Sequence, residues 1–244
     1  MAADLEHCAA AESDRSSRTF GVLKTPAVDI VGVRLDASAG IIAALWQLLS
    51  RDEQERAEKF RFSEHRQHYI VARGNLRRLL AERLRIAPRA VEFVENNYGK
   101  PKLAPVHGSA DLDFNLSHSG ALALYAFTRG RAVGVDVELI REIPDIDDLA
   151  ERFFSPTEIA SLKAFPVAQR SSAFLACWTR KEAFIKALGE GLSHPLERFD
   201  VSLAPSEPAR MLRVAGRAGE HCGWRVQSFA PAPGFVAAIV IQAP

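Results

Sequence analysis

Cysteine is scarce in this chain: three residues in 244, at positions 8, 177 and 222, with no Cys-x-x-Cys pair. That excludes a disulfide framework and a zinc knuckle, and a chain of this length buries about three quarters of its extended surface without either. Long apolar runs are missing as well. The longest, Ala121–Phe127 and Phe235–Ile241, are seven residues each, against the ~20 needed to span a bilayer. Neither sign of charge dominates: 31 Lys and Arg face 30 Asp and Glu, a net charge of +1. A general nucleic-acid binder, whose affinity rests on a cationic surface, is disfavoured. The opening Met1-Ala-Ala-Asp-Leu-Glu is acidic where a signal peptide would be basic and then apolar. With 48% apolar and 25% charged residues, the composition is that of a globular, cytoplasmic protein with no membrane or nucleic-acid partner.

Residues 1–24 carry Ala, Ser and charge without periodicity and are expected to form a mobile tail. Alternation over Val28–Leu35 predicts a strand, and Ala39–Leu49 a helix. Ser50-Arg-Asp-Glu53 is a capping box that starts a short helix. His65–Leu84 then reads as a long helix with Tyr69, Leu76, Leu79, Leu80 and Leu84 on one stripe. A short strand over Val91–Val94, a turn at Asn96–Gly99, a loop over Asp113–Gly120 and a strand over Ala121–Phe127 follow. The pattern then recurs. A strand at Ala132–Ile140 and a helix at Ile146–Phe154 precede a second capping box, Ser155-Pro-Thr-Glu158. A long helix from about Ala168 to Leu188 is stopped by Gly189, and strands are expected near Phe199–Leu203, Met211–Val214, Trp224–Phe229 and Phe235–Ile241. The boxes lie 105 residues apart, each between a short helix and a long one. The fold class expected is α+β, with similar halves at 25–130 and 131–244 packed as a pseudo-dimer.

Three constellations carry chemistry. In Val133-Gly-Val-Asp-Val-Glu-Leu139, a strand puts Asp136 and Glu138 on one face, about 7 Å apart. Adjacent carboxylates repel, so a wet acidic edge competes with a site that holds a hard cation such as Mg²⁺ between them. In Trp178-Thr-Arg-Lys-Glu-Ala-Phe-Ile-Lys186, positions 178, 182 and 186 share a helix face. A surface ion pair of Glu182 and Lys186 is the plain alternative, but Phe174, Trp178 and Phe184 mark this helix as buried, where such charges need further partners. In Asp113-Phe-Asn-Leu-Ser-His-Ser-Gly120, Ser117 and His118 are adjacent and point to opposite faces if extended, which disfavours a Ser–His relay and suits phosphate binding better. The turn Asn96-Asn-Tyr-Gly-Lys-Pro-Lys102 presents Lys100, and Arg73 and Arg77 crowd one side of the first long helix, as surface charge or as anion contacts. No Walker loop, Rossmann fingerprint or Gly-x-Ser-x-Gly elbow occurs.

In this order, Tyr-Gly-Lys-Pro-Lys, Phe-Asn-Leu-Ser-His-Ser, Gly-Val-Asp-Val-Glu and Trp-Thr-Arg-Lys-Glu-Ala-Phe-Ile-Lys resemble the 4′-phosphopantetheinyl transferases, specifically the larger surfactin-synthetase-activating (Sfp-type) class. The resemblance spans about residues 45–205 and continues through Ala-Leu-Gly-Glu-Gly-Leu-Ser193. It implies transfer of the phosphopantetheine arm of coenzyme A to a serine of an apo acyl or peptidyl carrier protein, with release of adenosine 3′,5′-bisphosphate. It implies Mg²⁺ held by Asp136, Glu138 and Glu182 against the coenzyme A pyrophosphate, Lys186 on the departing bisphosphate, and Glu182 as base. It also implies Arg73, Arg77, Lys100, Ser117 and His118 as nucleotide phosphate contacts, in a monomeric enzyme. Ile143 and Ile146, in the loop after the acidic strand, either touch the carrier or pack under the next helix. The alternatives are a Mg²⁺-dependent nuclease or nucleotidyl transferase using the same acids, and a non-catalytic carrier or nucleotide binding module.

Overall fold

The computed structural model describes residues 19–25, 27–108, 111–204, 207–214 and 223–244. The expected tail extends too far: residues 19–24 form strand β1 (Thr19–Lys24), paired antiparallel with β2 (Asp29–Arg34), while positions 1–18 lie outside the described residues. Phe20, Val22 and Leu23 pack against a buried apolar cluster, which gives this segment a reason to be a strand.

Helices α1 (Ala39–Trp46), α2 (Arg51–Glu58) and α3 (Ser63–Leu84) follow. The Ser50 box opens α2: its hydroxyl accepts from the Glu53 N–H at 3.4 Å, and the Glu53 carboxylate accepts from the Ser50 N–H at 2.9 Å. A hairpin of β3 (Phe93–Glu95) and β4 (Pro101–Leu103) turns at Gly99, whose φ of 81° suits glycine. Then come β5 (Leu112–Ser119) and β6 (Leu122–Arg129), giving a sheet of order β1-β2-β6-β5. The expected loop at 113–120 is therefore a strand, turning at Gly120. Its alternate Leu112 and Phe114 bury in the core, and its polar alternates face another strand instead of water.

The second half runs β7 (Val133–Leu139), α4 (Ile146–Phe153), α5 (Pro156–Ala164) and α6 (Val167–Leu188). Ser155 and Glu158 form the second capping box, at 3.2 and 2.9 Å. Gly189 stops α6 with φ 78°. Strands β8 (Phe199–Val201) and β9 (Met211–Val214) pair, and β10 (Trp224–Phe229) and β11 (Phe235–Gln242) complete a sheet of order β10-β11-β7. No helix among the described residues is long and apolar enough to cross a membrane.

Each half has a core under its long helix. A third lies between the sheets, built from Ile30, Leu122, Leu124 and Ala126 on one side and Val133, Val135, Val137 and Ile239 on the other. Helix α6 lies directly on β7 at Gly134. A methyl group there would stand 2.0 Å from the Ala183 carbonyl oxygen and 2.4 Å from the Ala187 nitrogen. This close approach sets the height of α6 above the acidic strand.

Candidate functional site

Alternation along β7 buries Val133, Val135 and Val137 between the sheets and turns Asp136 and Glu138 to the other face, under α6. Asp136 is 4% exposed. Its Oδ1 accepts from Ser117 Oγ at 2.7 Å and from Lys186 Nζ at 2.6 Å, and Lys186 also donates to Ser117 Oγ at 3.0 Å. The Lys186 ammonium thus crosses from α6 to β7, in place of the plain surface ion pair with Glu182 along its own helix. Glu138 Oε2 accepts from Ser119 Oγ at 2.9 Å.

Two buried carboxylate oxygens in this cluster, Asp136 Oδ2 and Glu182 Oε1, have no hydrogen-bond partner among the described residues. Burial pushes the Glu182 carboxyl up to about 7; Lys186 pulls it down, and Asp136 and Glu138 add to the rise. Glu138 is also raised, by burial first, against the hydrogen bond from Ser119. Among the described residues no group of three or more His, Cys, Asp and Glu is arranged so that it could hold a metal ion. The donor chemistry is of the kind a hard divalent cation takes: three carboxylates from two elements, two of them with buried oxygens that have no partner among the described residues.

Beside the cluster opens a cavity of about 1020 Å³, lined by His118, Gly120, Arg56, Arg73, His65 and Phe93 among others. Ser117 and His118 do point to opposite sides of β5, the hydroxyl to the acids and the imidazole to the cavity. Burial holds His118 below its usual pKa, and the charges of Lys186 and His68 add to that.

Several expected phosphate contacts sit elsewhere. Arg77 is 3% exposed and donates to Glu53 at 2.6 Å and to the carbonyls of Pro88 and Val91. It is an internal counter-ion, because the buried capping glutamate of α2 needs one. Arg73 also binds Glu53, at 2.5 Å, but reaches the cavity wall. Lys100 turns away from the acids, toward Asp113 at 3.5 Å and the Val133 carbonyl at 3.1 Å, and burial lowers its pKa. Ser117 spends its hydroxyl on Asp136 and Lys186, not on the cavity. Ile143, 9% exposed, belongs to the core under α6, and the half-buried Ile146 packs against the same core, as the packing alternative expects. Sequence reasoning missed Ser119 and Asn115, although polar residues at every second position of 113–119 already marked one polar strand face.

Residues 132–240 match the family model of the 4′-phosphopantetheinyl transferase superfamily, and residues 37–129 match that of the 4′-phosphopantetheinyl transferase N-terminal region. The 4′-phosphopantetheinyl transferase HetI of Nostoc is 36% identical over 209 residues, which cover 86% of this chain and 85% of HetI. The Bacillus subtilis 4′-phosphopantetheinyl transferase Sfp is 31% identical over 155 residues, 64% of this chain and 66% of Sfp. Among solved structures, the holo-[acyl-carrier-protein] synthase of Thermotoga maritima aligns with 46% of this chain and 62% of its own, at 25% identity and a TM-score of 0.36.

Proposed function

The chain belongs to the 4′-phosphopantetheinyl transferase superfamily and moves the phosphopantetheine arm of coenzyme A onto a carrier protein; we propose that the transfer takes place at the cluster of Asp136, Glu138, Glu182 and Lys186. The observation that carries this reading is the pair of unpartnered buried oxygens, Asp136 Oδ2 and Glu182 Oε1. Left so, they cost free energy, and a cation shared between them removes that cost.

Asp136, Glu138 and Glu182 would hold Mg²⁺, whose contribution when bound is to neutralise charge on the pyrophosphate oxygens. The chain's own groups then do the rest. Lys186, held at 2.6 Å from Asp136, supplies the positive charge that balances the departing adenosine 3′,5′-bisphosphate. Glu182 takes the proton of the carrier serine, directly or through a water. The serine oxygen bonds to the phosphorus that carries the pantetheine arm, and the bond from that phosphorus to the bisphosphate oxygen breaks. The nucleophile belongs to the partner, so the enzyme needs none. His118 and Arg73, on the cavity wall, are placed to receive the nucleotide phosphates. The protein is read as a cytoplasmic monomer, and its halves 25–130 and 131–244 as related units; the matching 22-residue helices α3 and α6, each preceded by a capping-box helix, support the relation between the halves. The nuclease or nucleotidyl transferase alternative is not supported by these similarities.

Mass spectrometry of an apo carrier incubated with enzyme, coenzyme A and Mg²⁺ tests the site. Wild type adds the mass of the arm, and Asp136→Ala adds none at any Mg²⁺ concentration while keeping its melting profile. Near-normal turnover in Asp136→Ala would remove the cluster from the chemistry.

A further inference from the structure

Strands β5 and β7 are each the last strand of their own sheet, so each turns a backbone edge toward the other. Side chains of β5 close the gap. The Val133 N–H donates to Asp113 Oδ2 at 3.0 Å, the Val135 N–H to Asn115 Oδ1 at 2.9 Å, and the Leu139 N–H to Ser119 Oγ at 3.1 Å. The period of two that puts 113, 115, 117 and 119 on one face of β5 lays a polar group beside each step of β7. Edge N–H groups that would otherwise seek another chain are satisfied within the molecule.

Two of these side chains reach the acids: Ser117 donates to Asp136 and Ser119 to Glu138. Their situations differ. Ser117 and Asp136 also hold the Lys186 ammonium, so that carboxylate accepts two hydrogen bonds from groups that also bond each other. Glu138 is more accessible, and its hydrogen bond is with Ser119. The Ser119 hydroxyl accepts from a backbone N–H and donates its one proton to Oε2; the backbone bond therefore aims the proton, and the proton aims the carboxylate.

Resting on the metal-site reading above, we infer that Ser119 is a positioning residue for Glu138. It keeps that carboxylate in the orientation from which it joins Asp136 and Glu182 around a divalent cation. Asp113 and Asn115 fix the register that brings the hydroxyl to it. A group of this kind, which orients a ligand without being one, typically governs metal affinity by about 10–100-fold.

The test is Mn²⁺ titration of the full chain with saturating coenzyme A, free Mn²⁺ being read by electron paramagnetic resonance. Ser119→Ala should weaken Mn²⁺ binding about tenfold or more with little change in melting temperature. Ser119→Thr should bind like wild type. Ser119→Val, which differs from threonine only by a methyl in place of the hydroxyl, should show the alanine loss. In a Glu138→Gln background, Ser119→Ala should cost nothing further. Unchanged Mn²⁺ affinity in the alanine and valine variants, or an equal loss in both Glu138 backgrounds, overturns the positioning role and leaves the metal site standing. Absence of Mn²⁺ binding by the wild-type protein overturns the site itself, and this inference with it.

Discussion

At the scale of single residues, the same side chain type does opposite jobs according to what surrounds it. Glu53 and Glu182 are both mostly buried acids. Glu53 has two arginines and a backbone N–H, which outweigh its burial and hold it below its usual 4.5. Glu182 has an oxygen with no partner among the described residues, and burial pushes it up to about 7. The glutamate that is fully satisfied is structural, and the one left short is the candidate for chemistry. Glu182→Gln keeps the shape and removes both a ligand charge and a base, so its loss should appear mainly in kcat; a rise confined to the KM for coenzyme A would leave only the ligand role. His118→Ala should weaken coenzyme A more than dephospho-coenzyme A, by about 1.5–3 kcal/mol for a hydrogen bond to a charged group. Equal losses measured for the two ligands would detach the imidazole from the 3′-phosphate. Strand and helix periods pair Asp136 with Glu138 and Glu182 with Lys186 in the sequence, but it is the family resemblance, not any period, that joins the two pairs into one candidate site. The pairings of Arg77 and Lys100 were not legible there. Their partners, Glu53 and Asp113, lie 24 and 13 positions away on other elements, and no local period reports such a pairing.

At the scale of elements, the two capping boxes do more than start helices. Each glutamate closes its own cap and then pairs with a cation of the following long helix: Glu53 with Arg73 and Arg77, and Glu158 with Lys181 at 2.7 Å, where it also accepts from the Val201 N–H at 2.8 Å. The caps were readable from four-residue motifs; the cross-helix pairs were not. Removing one partner of a buried pair strands the other, so Glu53→Gln should destabilise the fold by about 3–5 kcal/mol, measured by urea titration. The pH dependence has a definite sign. Because the folded pKa of Glu53 is depressed, its contribution is fully present above the unfolded carboxyl value and is lost as pH falls through the folded value. Wild type should therefore lose stability below about pH 4.5 more steeply than Glu53→Gln; parallel acid limbs would show that the pair is not the linkage. Gly134 belongs to this scale too. The atoms a side chain there would meet are backbone of α6, which cannot turn aside, so Gly134→Ala should cost about 3 kcal/mol or more as overpacking and lift Glu182 and Lys186 away from Asp136. A variant with normal melting temperature and normal turnover would refute the role of that contact.

At the scale of the whole molecule, the site exists only where two sheets meet. Asp136 and Glu138 come from the second, the serines that hold them from the first, and the core between the sheets draws on both. The sequence made each strand's apolar face visible but not which strand it faces. β6 reads as apolar throughout and β7 as apolar on one face and acidic on the other, and only the fold shows that Leu122, Leu124 and Ala126 pack in one cluster with Val133, Val135 and Val137. That shared core also decides whether the halves are independent. Cutting the chain at Gly130 would expose one full side of the cluster on each fragment, together with the polar edges of β5 and β7. Burial of a side chain such as Val, Leu or Ile is worth about 1.5–3 kcal/mol, so losing one wall of this core removes an amount comparable to the net stability of a typical domain, about 5–15 kcal/mol. Residues 19–130 and 131–244 expressed separately should therefore each lack a cooperative thermal transition. Mixed or co-expressed, they should regain one, along with transfer activity. The intact chain should unfold in one step, with circular dichroism and tryptophan fluorescence coincident. A fragment that melts cooperatively alone, or an intact chain whose two signals part, would mean that each half is held by its own core and that the interface merely joins them.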